Sequence, residues 1–102
     1  MILNLHGCGI GDRGVKDVAA GFLLEGSLKV LQKLDLSSND ITQNGCNSIR
    51  IILMKSHIVE INLTNNPLKD PGVAKFVDLF VHQKCSIKIL NLTHCELSVS
   101  TF

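Results

Sequence analysis

The sequence predicts an α/β solenoid, a right-handed coil of strand–turn–helix units with parallel strands on its concave face and helices on its convex face. Three observations predict it. Four short segments superpose, each reading apolar-x-Leu-x-x-(Asn or Cys)-x-apolar, with starts at Leu3, Leu34, Ile61 and Leu90 that lie 31, 27 and 29 residues apart. In three of them a glycine follows the Asn or Cys after six residues, at Gly14, Gly45 and Gly72, and the fourth has Thr101 there. Between successive segments the apolar residues change from alternation to helical spacing.

Each element follows from its residues. In apolar-x-Leu, alternate side chains face one way, as a strand requires. The Asn or Cys stands where the chain turns: an inward Asn can bond backbone groups of its own and neighbouring turns, and a Cys can do so more weakly or simply pack. Val15, Val18, Ala19, Phe22 and Leu23 then form one helical face, Cys46, Ile49, Ile52 and Leu53 a shorter one, and Val73, Phe76, Val77, Phe80 and Val81 a third. Asp12 and Asp70 occupy N-cap positions, with Pro71 next, where a first helical turn accepts it. The middle helix starts more weakly, at Thr42 or Gln43. Units of this kind stack so that one Leu/Ile/Val/Phe interior runs between sheet and helices. The divisions fall at 1–30, 31–57, 58–86 and a partial 87–102 of a single domain.

These residues resemble the ribonuclease-inhibitor-like subfamily of leucine-rich repeats, whose repeats have this length, a full helix each, and Asn or Cys at the turn. The resemblance implies a non-catalytic surface that binds another protein. It leaves two alternatives: a small-GTPase regulator resembling the Ran GTPase-activating protein, for which Arg13 is the available arginine, and an architectural module of a cytoskeletal or ciliary assembly. The first repeat lacks the upstream apolar residue that Leu31, Ile58 and Ile87 supply to the others, and the last stops where its helix should begin. A piece of a longer array is therefore expected, its ends covered by further repeats or by self-association.

Composition narrows the classes. With 102 residues, 45% of them hydrophobic, four Phe and no Trp or Tyr, the core is aliphatic. A net charge of +1 offers no electrostatic basis for nucleic acid or an anionic membrane, and no apolar stretch reaches the length of a membrane span. Four cysteines raise the question of disulfides. Cys8 and Cys95 share the turn position in the first and fourth repeats, so three strand spacings put them roughly 14 Å apart, beyond the reach of about 7 Å between Cα atoms that a disulfide allows. Buried reduced thiols are expected, in a reducing compartment such as the cytoplasm. The sequons at Asn62 and Asn91 arise because Thr follows Leu-Asn-Leu, and a glycan there would obstruct the concave face.

Cofactor and metal chemistry find no support. His6, His57, His82 and His94 have no ligand spacing, and no Cys-x-x-Cys occurs. The Gly7–Gly11 run flanks a repeat turn and precedes no lysine of a phosphate loop. Asp35 and Glu60, on neighbouring strands, are expected to pair with Lys33 and Lys88 at the surface. What remains is the outward strand face: Asn4 and His6; Lys33, Asp35 and Ser37; Glu60, Asn62 and Thr64; Ile89, Asn91 and Thr93. It is polar, nearly neutral, and lacks the Trp, Tyr and Arg of interface hot spots.

Overall fold

A computed structural model describes residues 1–98, without the side chains of Phe22, Glu25, Ser27 and Leu28. Four three-residue strands, β1 (Ile2–Asn4), β2 (Lys33–Asp35), β3 (Glu60–Asn62) and β4 (Ile89–Asn91), form one parallel sheet in chain order. The helices are α1 (Gly11–Glu25), α2 (Cys46–Lys55), α3 (Lys69–Ala74) and α4 (Asp78–Val81), with 3-10 turns at Ser27–Val30 and Gln43–Gly45. Every strand is joined to the next through a helical crossover, which is why all pairings are parallel. The strands are in register: Leu3, Leu34, Ile61 and Leu90 pair in turn across the sheet.

The ladder continues past the strands into the turns. Leu5, Leu36 and Leu63 each donate their N–H to the carbonyl of Asp35, Asn62 and Asn91 at 2.9 Å, and Gly7, Ser38 and Asn65 repeat the step two residues on. Gly7, Ser38, Asn65 and His94 all take the left-handed conformation, φ between 56° and 62°, so the same bend recurs in all four turns. The interior between sheet and helices holds Leu34, Leu36, Ile41, Ile61, Leu63 and Leu68 from the strand side. Val15, Ala19, Ile49, Ile52, Leu53, Val73 and Phe76 close it from the helical side.

The glycines that follow each turn have a steric reason. A Cβ on Gly45 would lie 2.6 Å from Asp12 Oδ1 and 2.8 Å from Ile41 Cγ2, and one on Gly72 would lie 3.0 Å from Cys46 Sγ. These are the points where one repeat's helix start approaches the preceding repeat too closely for a side chain. Thr101, the residue at the same position in the fourth repeat, lies outside the described residues.

Four expectations are corrected. First, the third helix is not continuous. Lys75, Phe76 and Leu79 bond to carbonyls three residues back, the tighter 3-10 pattern. A period of three puts Val73, Phe76 and Leu79 on one buried face, while Val77 and Val81 turn outward; Phe80 is half-buried and meets Phe76 edge-on. Second, Leu23 is half exposed, because α1 has 15 residues and α2 only 10, so the last turn of α1 outruns its neighbour; the side chain of Phe22 lies outside the described set. Third, Asp12 and Asp70 do not cap their own helices. Asp12 accepts from Thr42 N and Oγ1, and Asp70 from Ser98 N and Oγ, each gripping the next repeat's turn. Thr42 caps the turn leading into α2, accepting from Asn44 N. Fourth, Cys8 is exposed rather than buried.

Candidate functional site

The concave face is built by the strand period of two acting on four registered strands. The alternate residues on the side away from the helices fill three rows: Ile2, Lys33, Glu60, Ile89; then Asn4, Asp35, Asn62, Asn91; then, two residues past the strand ends, His6, Ser37, Thr64, Thr93. All eleven residues read from the sequence as outward-facing lie on these rows. Ile2, which the sequence reading passed over, opens the first row and is 69% exposed. The alternation Ile2, Asn4, His6 would have found it.

Ser37 is a correction. It is counted with the rows but buried, 4% exposed, because it is covered from both sides. Its Oγ donates to Asp35 Oδ1 at 2.5 Å and meets His6 Nδ1 at 2.6 Å. Asp, Ser and His are thus linked, but the hydroxyl stands between the carboxylate and the ring. A nucleophilic triad needs the imidazole in the middle, to take the hydroxyl proton while the carboxylate orients it. The arrangement here orders the face by joining β1 to β2.

The middle row has a repeated local device. Asn4, Asp35, Asn62 and Asn91 each turn Oδ1 back to accept the backbone N–H two residues on, from His6, Ser37, Thr64 and Thr93, at 2.9–3.0 Å. Thr93 Oγ1 also donates to Asn91 Oδ1. Thr64 Oγ1 makes no such bond and is buried without a partner among the described residues. The expected ion pairs of Asp35 and Glu60 with Lys33 and Lys88 are not found among the described residues. Asp35 is engaged by Ser37 instead, so Lys33 and Glu60, side by side in register, both face solvent or a partner.

Beneath the face run two buried amides. Asn39 Nδ2 donates to Leu5, Leu36 and Ser37 carbonyls, and its Oδ1 accepts from Ile10 N. Asn66 Nδ2 donates to Leu36, Leu63 and Thr64 carbonyls, and its Oδ1 accepts from Asn39 N and Ile41 N. They hold the turns in register and so set the spacing of the rows above. Cys95 replaces the amide in the fourth turn, its thiol donating to Leu63 O at 3.0 Å. Burial pushes the Cys95 thiol above its ordinary range, with the Asn66 and Asn65 N–H groups opposing, and pushes Cys46 up to about 12. The one ion pair among the described residues, Arg50 with Asp78 at 2.6 Å, is on the helical side, where Arg13 is also exposed. Among the described residues no group of three His, Cys, Asp or Glu could hold a metal, and no helix is long and apolar enough to cross a membrane.

Known proteins share this pattern. The family model described as Leucine Rich repeat matches residues 1–19, 27–49 and 55–77, more than half of the chain. Among curated proteins, human NACHT, LRR and PYD domains-containing protein 14 is 35% identical over 96% of this chain and 9% of its own length. The Bos taurus protein 5 of the same name is 30% identical over the same shares, and ribonuclease inhibitor of Sus scrofa is 29% identical over 96% of this chain and 21% of itself. The chain thus spans about a tenth to a fifth of these relatives' lengths. It belongs to the leucine-rich repeat family, with repeats of the ribonuclease-inhibitor-like kind.

Proposed function

We propose that this leucine-rich repeat chain is a non-catalytic protein-interaction segment that holds another protein against its concave sheet or the adjoining rim loops, in a reducing compartment. The observation that carries the reading is the middle row. Four in-register polar side chains are oriented by bonds to their own backbone, so the rotamer freedom that binding would cost is already restricted before a partner arrives. Family membership supports a protein-binding role in general. Ile2 and Ile89, both more than half exposed, add apolar contacts at the two outer strands of the first row.

The test is a photo-crosslinking residue placed at Asn62 and, separately, at Met54 on the helical side, in the chain expressed in cells. Crosslinks to a discrete protein from position 62, lost on adding Lys33→Glu and Asn91→Arg, are expected. Crosslinks from position 54 alone would overturn the concave reading.

A further inference from the structure

The middle row is chemically asymmetric, and the asymmetry specifies a partner. In Asn62 and Asn91 the amide oxygen is committed to the backbone N–H of Thr64 and Thr93, so the amide cannot be flipped, and Nδ2 must face away from the turn. Neither Nδ2 has a partner among the described residues. The two residues are register partners on adjacent strands, so their donors stand about 4.8 Å apart. That separation lets the two oxygens of one carboxylate each accept one N–H. On its own strand Asn91 is flanked outward by the uncharged Ile89 and Thr93, while Glu60 adjoins Asn62 in the first row, beside Lys33 in register.

One strand away the sign reverses. Asp35 uses Oδ1 for Ser37, leaving Oδ2 outward without a partner among the described residues. Glu60 lies diagonally beside it in the first row. Asn4, Lys33, Asp35, Glu60 and Asn62 border a shallow hollow of about 160 Å³, open enough for the head of a side chain. A cation seated there meets two carboxylates against the single Lys33.

We propose that the concave face recognises a partner protein through a paired charge: a Lys or Arg over Asp35 and Glu60, and an Asp or Glu carboxylate bridging Asn62 and Asn91. One strand spacing across the sheet and half a row along it separate the centres of the two subsites, about 6 Å, which is the spacing between side chains three or four residues apart on a helix. A helix crossing the strands at right angles would present both. The inference rests on the concave reading above but goes beyond it, and the two can fail separately.

Short peptides displayed on phage and selected on the whole chain provide the probe, with affinities of the selected peptides read by fluorescence anisotropy. Selected sequences are expected to carry a basic and an acidic residue three or four apart. Asn91→Asp keeps the acceptor that Thr93 needs but places a negative charge against the carboxylate, so binding should fall about tenfold or more and return when the peptide's acidic residue becomes Lys. Asp35→Asn should weaken the same peptides and lose their preference for a basic residue over Gln. If Asn62→Arg abolishes binding while Asn91→Asp and Asp35→Asn leave it unchanged, the paired-charge proposal is overturned and the concave reading stands. Peptides indifferent to all three variants overturn both, and a selection in which nothing binds above background overturns the paired charge.

Discussion

The two inner turns and the two outer turns carry the same backbone bend with different side chains at its centre. In the inner pair, Asn39 and Asn66 are fully buried and make four and five side-chain bonds, of which two and three respectively reach the turn before. In the outer pair, Cys95 is buried but reaches the preceding turn through one short contact to Leu63 O, and Cys8 is exposed and touches His6 O at 3.7 Å. A carboxamide donates and accepts at once, so it can satisfy the carbonyls of one turn and the N–H groups of another. A thiol has one weak donor and a weak acceptor. The register of the concave face is therefore fastened most firmly at its middle, under Asp35 and Asn62.

The comparison can be broken most directly at Asn66. Asn66→Ala strands the buried N–H groups of Asn39 and Ile41 and should lower stability by about 3–5 kcal/mol in urea unfolding, since each unsatisfied buried group costs about 1–3 kcal/mol. Cys8→Ala should change it by no more than about 0.5 kcal/mol. Comparable losses from the two variants would show that the amides do not hold the stack. Asn66→Cys, which installs an outer turn at the centre, should fall between them.

A second contrast uses the glycines. Gly72→Ala drives a Cβ against Cys46 Sγ and Gln43 Cα at the junction of two repeats, and should cost about 1–3 kcal/mol. Gly21→Ala meets open space on α1 and should stabilise by about 0.5–1 kcal/mol. Thiol reactivity sharpens the same division. At neutral pH Cys8 should be alkylated first by iodoacetamide, with Cys46, its thiol pushed up to about 12 by burial, modified only on unfolding. Mass spectrometry of a time course would reveal any early labelling of Cys46.

The smallest effect is expected from the exposed link between repeats. Arg50 Nη1 hydrogen-bonds Asp78 and holds its carboxyl below the usual carboxylate range, while also reaching Lys75 O. A carboxyl lowered on folding stabilises above its unfolded value, and that contribution is lost as pH falls through the lowered folded one. Asp78→Asn should therefore produce a barely detectable drop in Tm at neutral pH, and none once the carboxyl is protonated. A large drop would mean that surface pairing rivals the buried amides.

The repeat, the parallel strands and the outward rows were legible in the amino-acid sequence, because a strand's period of two and a turn's demand for Asn or a small residue are local requirements written into each unit. Leu36, Leu63 and the Asn39–Asn66 ladder followed from that pattern alone. Tertiary structure decided what depends on a neighbour. Whether Leu23 is covered depends on the length of α2, and whether Val77 or Leu79 turns inward depends on a tightening between Gly72 and Phe80 that packing imposes. Asp12 and Asp70 face the next repeat's turn because helix starts in adjacent repeats come within hydrogen-bond reach. Ser37 is buried because His6 and Asp35 close over it from two strands. Local periodicity tells which way a side chain points; only the assembled neighbours determine what it meets there.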